Sequence, residues 1–408
     1  MRILYISQYF PPEAGATQTR AYEMARNLVR LGHSVTMITE VPNHPSGIIP
    51  PEYRKKFFER KAMEGIDVIR MWVKASPTKN FRNRMLFYLT FMLNSMLAGI
   101  FLAHGPYDLI YASSPPLFVG GAALVLSRLK RIPMIFEVRD LWPESAVALG
   151  ELASPRAISM ASRLEEACYH RSRKIVVVTQ GIFDRLRERG IPNEKLVLIP
   201  NGANIELFYF KPEGRERIRR ELHLEGKFVA IYAGIHGIAQ GLETILESAH
   251  NLKNAPDIHF LLIGNGPTKS ELVAAAKKLE LTNLTLMDEQ PRASIPDYLS
   301  AADVALIPLR NLELFKGALP SKMFDAWACS RPVLLSIDGE AHRVMDEACG
   351  GIFVPPEDSE LMEAALLKLM KDEVERAQMG NSGRAYTERK YSRTTLAEKL
   401  ASELERIN

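Results

Sequence analysis

Residues 319–334 combine a lysine, an aspartate and a predicted helix start within one short turn that leads into a strand-like run. Ser321 is predicted to cap a helix whose first turn carries Lys322 and Asp325. Because a helix start offers free N–H groups and partial positive charge, Lys322 beside it can bind a diphosphate, and Asp325 can accept hydrogen bonds from ribose hydroxyls. This chemistry suits a nucleotide-sugar site. The alternative interpretation is a serine-capped surface helix with an incidental lysine.

Two strand-like runs in the second half of the chain end in glycine-rich loops, one reading YAGIHGIAQGL and the other LLIGNGP. Glycine lets backbone N–H groups approach a phosphate, so two such loops on one domain indicate a nucleotide pocket. The candidate contacts are Gly234, His236, Gln240, Gly264, Asn265 and Gly266. In the alternative interpretation, His236 and Gln240 are loop residues whose polar atoms are satisfied by water.

A third loop follows the first strand-like run and contains Gly15, directly before a helical pattern that ends at Gly32. Ligands of open α/β sheets bind beyond the carboxyl ends of the strands, which makes this loop a candidate floor for the nucleotide sugar. The loop does not match the dinucleotide pattern G-x-G-x-x-G, and a purely structural turn is the alternative.

Strand-like runs alternate with helical stretches from end to end, which predicts an α/β fold of doubly wound parallel sheets covered by helices on both faces. The runs in the first half are residues 3–6, 35–38, 68–73, 109–112, 134–138, 175–179 and 197–199. The runs in the second half are residues 228–233, 259–263, 284–287, 304–307, 333–336 and 351–354.

A turn-rich segment that starts at Pro200 separates the two halves. We therefore expect an N-terminal domain over residues 1–203 and a C-terminal domain over residues 204–385. A final helix within residues 386–408 is expected to pack back on the N-terminal domain.

The chain has 408 residues, 47% of them apolar and 25% charged, which is enough for two domains with substantial cores. The net charge of +4 is mild and gives no indication of a nucleic-acid partner. Cys168, Cys329 and Cys349 are widely spaced, without the C-x-x-C pairing of metal sites, and fit a reducing cytosol. The N-terminal MRILYIS leads directly into a strand-like run with no recognisable export signal, so a cytoplasmic location is expected.

The apolar run over residues 85–103 is about as long as the roughly 20 residues that cross a bilayer. Strand-like runs on both sides of it belong to the same expected sheet, which argues against a crossing helix. Lys79, Arg82 and Arg84 precede the run and supply positive charge that can hold an interfacial helix on anionic headgroups. Contact with an anionic membrane surface is our first interpretation; a core helix and a spanning helix are the alternatives.

Six motifs follow one another along nearly the whole chain. They are GHSVTMIT from Gly32, PNG from Pro200, YAG with QGL around Gly234, IGNGP around Gly264, AADVALIP around Asp303 and SKMFDAWACSRPV from Ser321. This succession resembles glycosyltransferase family 4, of the GT-B fold. Within the family, the chain is most similar to the subgroup of bacterial O-antigen, capsule and exopolysaccharide gene clusters, which includes N-acetylfucosamine transferases.

The resemblance implies two facing Rossmann-like domains with a cleft between them. It also implies a nucleotide-sugar donor held mostly by the C-terminal domain, no required metal, no cofactor besides the donor, and retention of configuration at the anomeric carbon.

The chain departs from the family pattern in both domains. Many members carry two glutamates eight positions apart, whereas the matching positions here hold Gly317 and Asp325, so only the ribose-facing acid is kept. An arginine and a lysine of the phosphate loop are replaced by Ile235 and Gln240, which leaves Lys322 as the first candidate to meet the diphosphate charge.

The family's active-site histidine is also missing, because the loop after residues 134–138 reads RDLWPES. Arg139 and Asp140 stand in this loop, and we expect them to orient the sugar.

The resemblance predicts a retaining glycosyltransferase that moves an N-acetylated hexosamine or deoxyhexosamine from a UDP-sugar to a polyprenyl-diphosphate-linked acceptor. It would act in surface polysaccharide synthesis, peripherally on the inner face of the cytoplasmic membrane. Lys322, helix starts and backbone N–H groups of the Gly15 loop would stabilise the leaving diphosphate. The acceptor would attack from the same face of the sugar, and a departing phosphate oxygen could take its proton.

Two alternative functions, each from a different functional class, are also considered. A UDP-sugar 2-epimerase has a similar two-domain architecture, although no acid and base around the donor sugar are recognisable here. A non-catalytic, membrane-associated scaffold that binds a nucleotide is the second, since the first family glutamate is missing. Product analysis without acceptor tests the first alternative, and a nucleotide-binding assay tests the second.

Overall fold

The computed structural model describes residues 1–13, 15–44, 46–78, 80–148, 152 and 154–407. The chain divides into two compact units, unit 1 with Met1–Pro200 and Leu396–Asn408, and unit 2 with Asn201–Thr395. The first division follows Pro200 instead of residue 203, within the same turn-rich segment. Lys79, one of the three basic residues expected near a membrane, lies outside the described residues.

The sheet of unit 1 is parallel except at one edge. Its strands are β1 (Arg2–Ser7), β2 (Ser34–Glu40), β3 (Phe58–Met63), β4 (Ile66–Met71), β5 (Leu109–Ser114), β6 (Met134–Val138), β7 (Lys174–Val177) and β8 (Leu196–Leu198). They lie in the order β3-β4-β2-β1-β5-β6-β7-β8, and β3 alone is antiparallel to its neighbour. Every residue of the central strand β5 is buried, as expected for a strand with helices on both faces.

Helices cover both faces of this sheet. They are α1 (Ala16–Arg30), α2 (Phe81–Phe101), α3 (Phe118–Lys130), α4 (Glu144–Ala148), α5 (Pro155–Arg171) and α6 (Gln180–Glu188). One apolar core joins the sheet to α2, α3 and α5, and a second joins its other face to α1.

Unit 2 contains a six-stranded, fully parallel sheet. Its strands are β9 (Phe228–Ala233), β10 (Ile258–Ile263), β11 (Leu284–Met287), β12 (Val304–Pro308), β13 (Val333–Ser336) and β14 (Gly351–Phe353), in the order β11-β10-β9-β12-β13-β14. Its helices are α7 (Pro212–Glu221), α8 (Glu243–Asn251), α9 (Lys269–Lys278), α10 (Ile295–Ala301), α11 (Ser321–Ala328), α12 (Glu340–Ala348), α13 (Ser359–Lys371) and α14 (Glu373–Tyr386). Apolar cores lie on both faces of this sheet as well.

The last helix, α15 (Arg393–Glu405), begins in unit 2 and belongs to unit 1 from Leu396 onward. Its apolar side chains are buried in the core that includes Ile3 and Tyr5. The residues of α15 in that core are Leu396, Ala397, Leu400, Ala401 and Leu404. Residues 386–395 of the expected C-terminal segment therefore belong to unit 2.

Helix α2 is long and apolar enough to cross a membrane by length and composition, yet 28% of its most apolar window is buried within the protein. Phe91 and Ala98 pack in the core of unit 1, whose strands β4 and β5 precede and follow α2 in the same sheet. In this fold α2 covers the sheet, with one face in the core and the other exposed.

Candidate functional site

The strand order of unit 2 reverses between β9 and β12, which lie side by side at the centre of the sheet. Such a reversal opens a crevice at the carboxyl ends of the strands, where open α/β sheets bind ligands. Gly234 follows β9, and the segment after β12 leads into α11, whose second residue is Lys322. Two of the predicted site residues are thus brought to the same edge of unit 2.

The Lys322 ammonium lies against Tyr232, at the end of β9. Its Nζ donates a hydrogen bond of 2.6 Å to the Tyr232 hydroxyl and lies 4.2 Å from the centre of that ring. The Tyr232 hydroxyl in turn donates to the carbonyl of Ile235 at 2.6 Å. A Cβ at residue 234 would collide with Cε and Nζ of the lysine, so Gly234 leaves the room that Lys322 occupies.

Burial lowers the pKa of Lys322 from 10.5 to about 7. Among the described residues, no carboxylate forms a salt bridge with this ammonium. Burial disfavours the charged form of a lysine, whereas a nearby anion favours it. A phosphate at this position would therefore restore the charge that burial suppresses.

Asp325 follows Lys322 by one turn of α11, and both side chains line one cavity. The cavity is small and partly open to solvent. Its other lining residues are apolar: Ile231, Ala233, Ile295, Leu299, Ala305, Leu306 and Ile307. A few polar groups in an apolar cavity are typical of small-molecule sites.

The predicted serine cap of α11 is wrong. Ser321 is the first helical residue, and the extended residue Pro320 stands at the cap position. Within the described residues, no capping side chain bonds to the start of α11. The first N–H groups of this helix therefore remain able to bind an anion.

The two glycine-rich loops of unit 2 pack backbone against backbone. A Cβ at Gly264 would collide with the carbonyl oxygen of Gly234, and one at Gly266 would collide with the backbone of His236. The loops are also joined by a hydrogen bond of 2.9 Å from the His236 N–H to the carbonyl of Asn265. Close packing of the two loops explains Gly264 and Gly266 without a direct ligand contact.

The His236 ring is fully buried beneath these loops, with its centre 5.9 Å from that of Tyr232. Burial, with the charges of Lys269 and Lys322, lowers the pKa of His236 to about 4, so the ring is neutral at physiological pH. Its carbonyl accepts a hydrogen bond of 2.9 Å from the Thr268 hydroxyl. Both ring nitrogens of His236 are buried without a hydrogen-bond partner among the described residues, and the expected contact with phosphate or sugar stays a prediction.

Asn265 and Gln240 lie nearer the surface. Asn265 is exposed, and its Oδ1 accepts a hydrogen bond of 2.8 Å from the N–H of Gly266. Gln240 is half-buried at the end of a short turn that Arg310 fixes through a bond of 2.7 Å to the carbonyl of Ile238. Arg310 also forms salt bridges with two glutamates, which hold its side chain against this turn.

Sequence reasoning missed Tyr232 and a second lysine at this edge of the sheet. Lys269 is the first residue of α9, and its Nζ donates hydrogen bonds to the carbonyls of Gly264 and Met287. Burial lowers the pKa of Lys269. The signal for Lys269 was its position three residues after the glycine loop, at the start of a helix.

A buried charge network lies near the carboxyl end of the sheet in unit 1. The Glu137 carboxylate accepts hydrogen bonds from Arg20 Nε at 2.9 Å, the Tyr111 hydroxyl at 2.8 Å and the Ser113 hydroxyl at 2.5 Å. Burial opposes its ionisation, but Arg20 and Arg139 together lower the pKa of Glu137. The network fixes the end of β6, directly before the RDLWPES loop.

Arg139 and Asp140 stand in different environments. Nε and Nη1 of Arg139 are buried without a hydrogen-bond partner among the described residues, and burial lowers its pKa to about 10. Asp140 is exposed, and its Oδ2 accepts a hydrogen bond of 2.9 Å from the Ser145 hydroxyl. Arg139 is therefore half-buried, with part of its guanidinium in the interior, whereas Asp140 is exposed.

Gly15 precedes α1, after the loop that follows β1. It is exposed, has a φ of 151°, and a Cβ there would collide with the side chain of Gln18. No side chain caps α1 within the described part of the chain, so its first N–H groups face the carboxyl edge of the unit 1 sheet uncapped.

Two family models match the chain one after the other. The glycosyl transferase 4-like domain matches residues 15–202, and the glycosyl transferases group 1 model matches residues 214–386. The chain belongs to glycosyltransferase family 4. This glycosyltransferase has the GT-B fold, with a Rossmann-like domain in each unit, which confirms the predicted family and fold class.

The similarity extends over whole chains at low identity. The putative colanic acid biosynthesis glycosyl transferase WcaI of Escherichia coli is 23% identical over 90% of this glycosyltransferase and 91% of its own length. The alpha-monoglucosyldiacylglycerol synthase of Acholeplasma laidlawii is 22% identical over 86% and 84%. The crystal structure of Alr3699/HepE from Anabaena with UDP-glucose matches with a TM-score of 0.74, at 15% identity, over 99% of both chains.

Proposed function

We propose that this glycosyltransferase moves an N-acetylated hexosamine or deoxyhexosamine from a UDP-sugar to a polyprenyl-diphosphate-linked acceptor in surface polysaccharide synthesis, with retention at the anomeric carbon. WcaI, named for colanic acid biosynthesis, supports a polysaccharide role. The Anabaena protein of similar fold was solved with UDP-glucose, which makes uridine nucleotides the first donors to test.

The observation that carries the donor proposal is the position of Lys322, at the reversal of the unit 2 sheet. Its ammonium lies beside Gly234 and the start of α11, so a diphosphate there would meet a lysine and uncapped backbone N–H groups together. Negative charge develops on the leaving diphosphate as the glycosidic bond breaks, and groups already aimed at that charge stabilise the transition state. A departing phosphate oxygen takes the proton of the acceptor hydroxyl.

Asp325, one turn on, would accept hydrogen bonds from the ribose hydroxyls. In unit 1, Arg139 is proposed to orient the sugar, and the charge of Glu137 favours its protonated form. Asp140, in the same loop, has an exposed carboxylate that is proposed to contact the sugar.

Lys322→Ala tests the donor site by calorimetry. We expect UDP affinity to fall by about 10- to 100-fold while uridine affinity changes little, because the lost contact is to phosphate. Lys316→Ala, which removes an exposed lysine of the same unit, is the control and should bind UDP as the wild type does. Equal losses for UDP and uridine in Lys322→Ala would place the diphosphate elsewhere.

Product analysis separates transfer from the other functions. The protein is incubated with UDP-N-acetylhexosamines, with and without a lipid-linked acceptor, and the sugar is followed by mass spectrometry. Transfer requires the acceptor and yields UDP with a lengthened lipid. A 2-epimerase would convert the donor sugar without acceptor, and a scaffold would bind UDP and convert nothing.

We also propose a peripheral location on the inner face of the cytoplasmic membrane, held by an exposed apolar surface on α2 and α3. These helices run side by side, and their exposed apolar residues, here termed the α2–α3 face, are Leu86, Leu93, Leu97, Ile100, Phe101, Val125 and Leu129. Contiguous exposed apolar surface on a protein commonly marks an interaction site.

The charge around the α2–α3 face supports an anionic partner. Between Asp67 and Glu137 the only acidic residue in the sequence is Asp108. Apart from Arg70, which is buried in β4, the basic residues of this stretch are Lys74, Lys79, Arg82, Arg84, Arg128, Lys130 and Arg131. Basic residues flanking an apolar helix face favour anionic lipid.

A further inference from the structure

The carboxylate of Glu13 joins the loop after β1 to the segment after β2. Its Oε1 accepts hydrogen bonds of 2.5 Å from the backbone N–H groups of both Asn43 and His44. Glu13 is half-buried and lies two residues before Gly15, in the loop that follows β1. Because β1 and β2 are adjacent parallel strands, the contact joins two neighbouring loops at the edge where open α/β sheets bind ligands.

A cation from a third strand holds the same loop. Arg70, buried in β4, donates a hydrogen bond to the carbonyl of Pro11 and another, of 3.4 Å, to the carbonyl of Glu40 at the end of β2. Its guanidinium lies 5.9 Å from the centre of the Phe10 ring. The loop after β1 is therefore attached at Pro11 and at Glu13, and both contacts come from the side of the sheet that holds β2 and β4.

The first turn of α1 packs against Gly15. The Gln18 side chain is buried, and its Oε1 lies 2.4 Å from the point that a Cβ at Gly15 would occupy. The φ of Gly15 is +151°, a backbone conformation that L side chains rarely adopt. Glycine therefore lets α1 close against the end of the loop that Glu13 holds.

Glu13 is held by neutral hydrogen-bond donors. Burial raises its pKa, whereas the two backbone N–H groups, the charge of Arg70 and a hydrogen bond with Gln18 lower it. Burial, and then the charge of Glu13, raise the pKa of the buried Glu40 well above its usual range. Among the described residues, neither carboxyl group forms a salt bridge. The contact between the two loops therefore depends on an acceptor oxygen at residue 13 more than on its charge.

A loop that stabilises developing negative charge must hold its N–H groups in place before the reaction. Donors that are already aimed at the charge need no reorganisation when the bond breaks, and neighbouring contacts provide this rigidity. The loop after β1 is fixed by contacts from the segment after β2, from β4 and from α1. Glu13 supplies the first of these contacts through two hydrogen bonds to one oxygen.

We propose that Glu13 is a positioning residue: by accepting the N–H groups of Asn43 and His44, it holds the Gly15 loop in the shape in which the loop's backbone N–H groups meet the leaving diphosphate. The inference rests on the proposed sugar transfer and on the part that this loop is expected to have in it. Glu13 acts through the loop and is assigned no contact with the substrate.

The test separates the rate of transfer from the binding of the nucleotide. Glu13→Ala removes the acceptor oxygen, so we expect kcat for UDP formation from a UDP-N-acetylhexosamine with lipid-linked acceptor to fall at least about tenfold. The calorimetric Kd of UDP should change by less than about twofold, because the nucleotide is assigned to unit 2. Glu52→Ala, at an exposed glutamate of unit 1, is the matched control and should leave both values unchanged.

Two conservative variants distinguish the hydrogen bonds of Glu13 from its charge. Glu13→Gln keeps an acceptor oxygen without the charge and should keep kcat within about threefold of the wild type. Glu13→Asp keeps the charge but is one methylene shorter, so it should lose kcat as Glu13→Ala does. This variant also tests the role if Glu13→Ala folds poorly.

Hydrogen–deuterium exchange measures the contact without any substrate. The amides of Asn43 and His44 should exchange at least about tenfold faster in Glu13→Ala than in the wild type, while exchange in the strands of unit 1 stays unchanged. Equally faster exchange in the strands would overturn the positioning role, because the variant would then be destabilised throughout unit 1.

Wild-type kcat in a folded Glu13→Ala protein would overturn the proposal. Activity retained by Glu13→Asp and lost by Glu13→Gln would overturn it too, since the charge would then matter instead of the hydrogen bonds. If the wild type binds no UDP and forms no product, the proposed function fails, and the exchange rates still decide whether Glu13 holds the loop.

Discussion

Lys322 and Tyr232 are 90 positions apart in the sequence, and yet a hydrogen bond of 2.6 Å joins the lysine ammonium to the tyrosine hydroxyl. The ammonium also lies over the ring of the same tyrosine. The contact links the start of α11 to the end of β9, across the reversal of the strand order in unit 2. It keeps a poorly solvated lysine at the position where a diphosphate would bind.

The lowered pKa of Lys322 predicts a pH-dependent affinity for UDP. With a pKa of about 7, the free site is charged below pH 7 and increasingly neutral above it. A bound diphosphate raises this pKa, so binding takes up a proton, and UDP affinity should fall by up to about tenfold per unit between pH 7.5 and 9. Calorimetry in buffers of different ionisation enthalpy measures the proton uptake.

Lys322→Met is the control for this pH effect. It should bind UDP weakly and with little change over the same range, since the titrating group is gone. A wild-type affinity that stays constant from pH 7.5 to 9 would show that Lys322 does not titrate on binding.

Asp325→Ala should weaken UDP and uridine to the same extent. The carboxylate is assigned to the ribose, which both ligands share, and a hydrogen bond to a charged group contributes about 1.5–3 kcal/mol. Asp346→Ala removes an exposed carboxylate of unit 2 and serves as the control in the same calorimetric titration. A folded Asp325→Ala protein that binds uridine like the wild type would contradict the ribose assignment.

Gly264→Ala should destabilise the protein by about 2–4 kcal/mol, measured by chemical denaturation. The added Cβ would collide with the carbonyl oxygen of Gly234, and forced overpacking of this kind costs about 1–3 kcal/mol besides the strain of a positive φ. Gly226→Ala also has a positive φ but meets no atom within 4 Å, so it should lose only about 1 kcal/mol. Similar losses in the two variants would mean that the loops can move apart.

The α2–α3 face should hold the protein on anionic vesicles in a salt-sensitive way. Each basic residue near the surface contributes about 1 kcal/mol, and salt screens this attraction. In a flotation assay we expect a variant with alanine at Lys79, Arg82 and Arg84 to lose most of its binding at low salt. Flotation that resists high salt and is released only by detergent would favour a spanning helix instead.

A second variant of the flotation assay tests the apolar part of that face. Leu93→Ser with Leu97→Ser should reduce vesicle binding at every salt concentration, because both leucines are exposed in the middle of α2. Val374→Ser, at an exposed apolar residue of unit 2, is the matched control and should float as the wild type does.

Most of the parallel strands could be predicted from the sequence because buried strands are short apolar runs bounded by polar loops. The predicted run 134–138 coincides with β6, and 228–233 coincides with β9. Strand β3 was missed because FERKAM carries charged, exposed side chains at the edge of the sheet, where no second layer demands apolar residues.

The site was only partly predictable, since local pattern does not reveal contacts between distant segments. The helix carrying Lys322 and Asp325 was found because it forms from consecutive residues. The burial of His236 could not be predicted, because it depends on the close packing of Gly264 and Gly266, from another loop, against it. Tyr232 contacts Lys322 because of the strand order of unit 2, and no local sequence pattern indicates that contact.

The path of the chain also determines when unit 1 can be completed during synthesis. Because unit 2 is inserted between Pro200 and Leu396, the last helical turns of unit 1 leave the ribosome after all of unit 2. Until then the core face around Ile3 and Tyr5 lacks the side chains of α15 that bury it. This apolar surface of the nascent first half therefore stays uncovered while unit 2 is being synthesised.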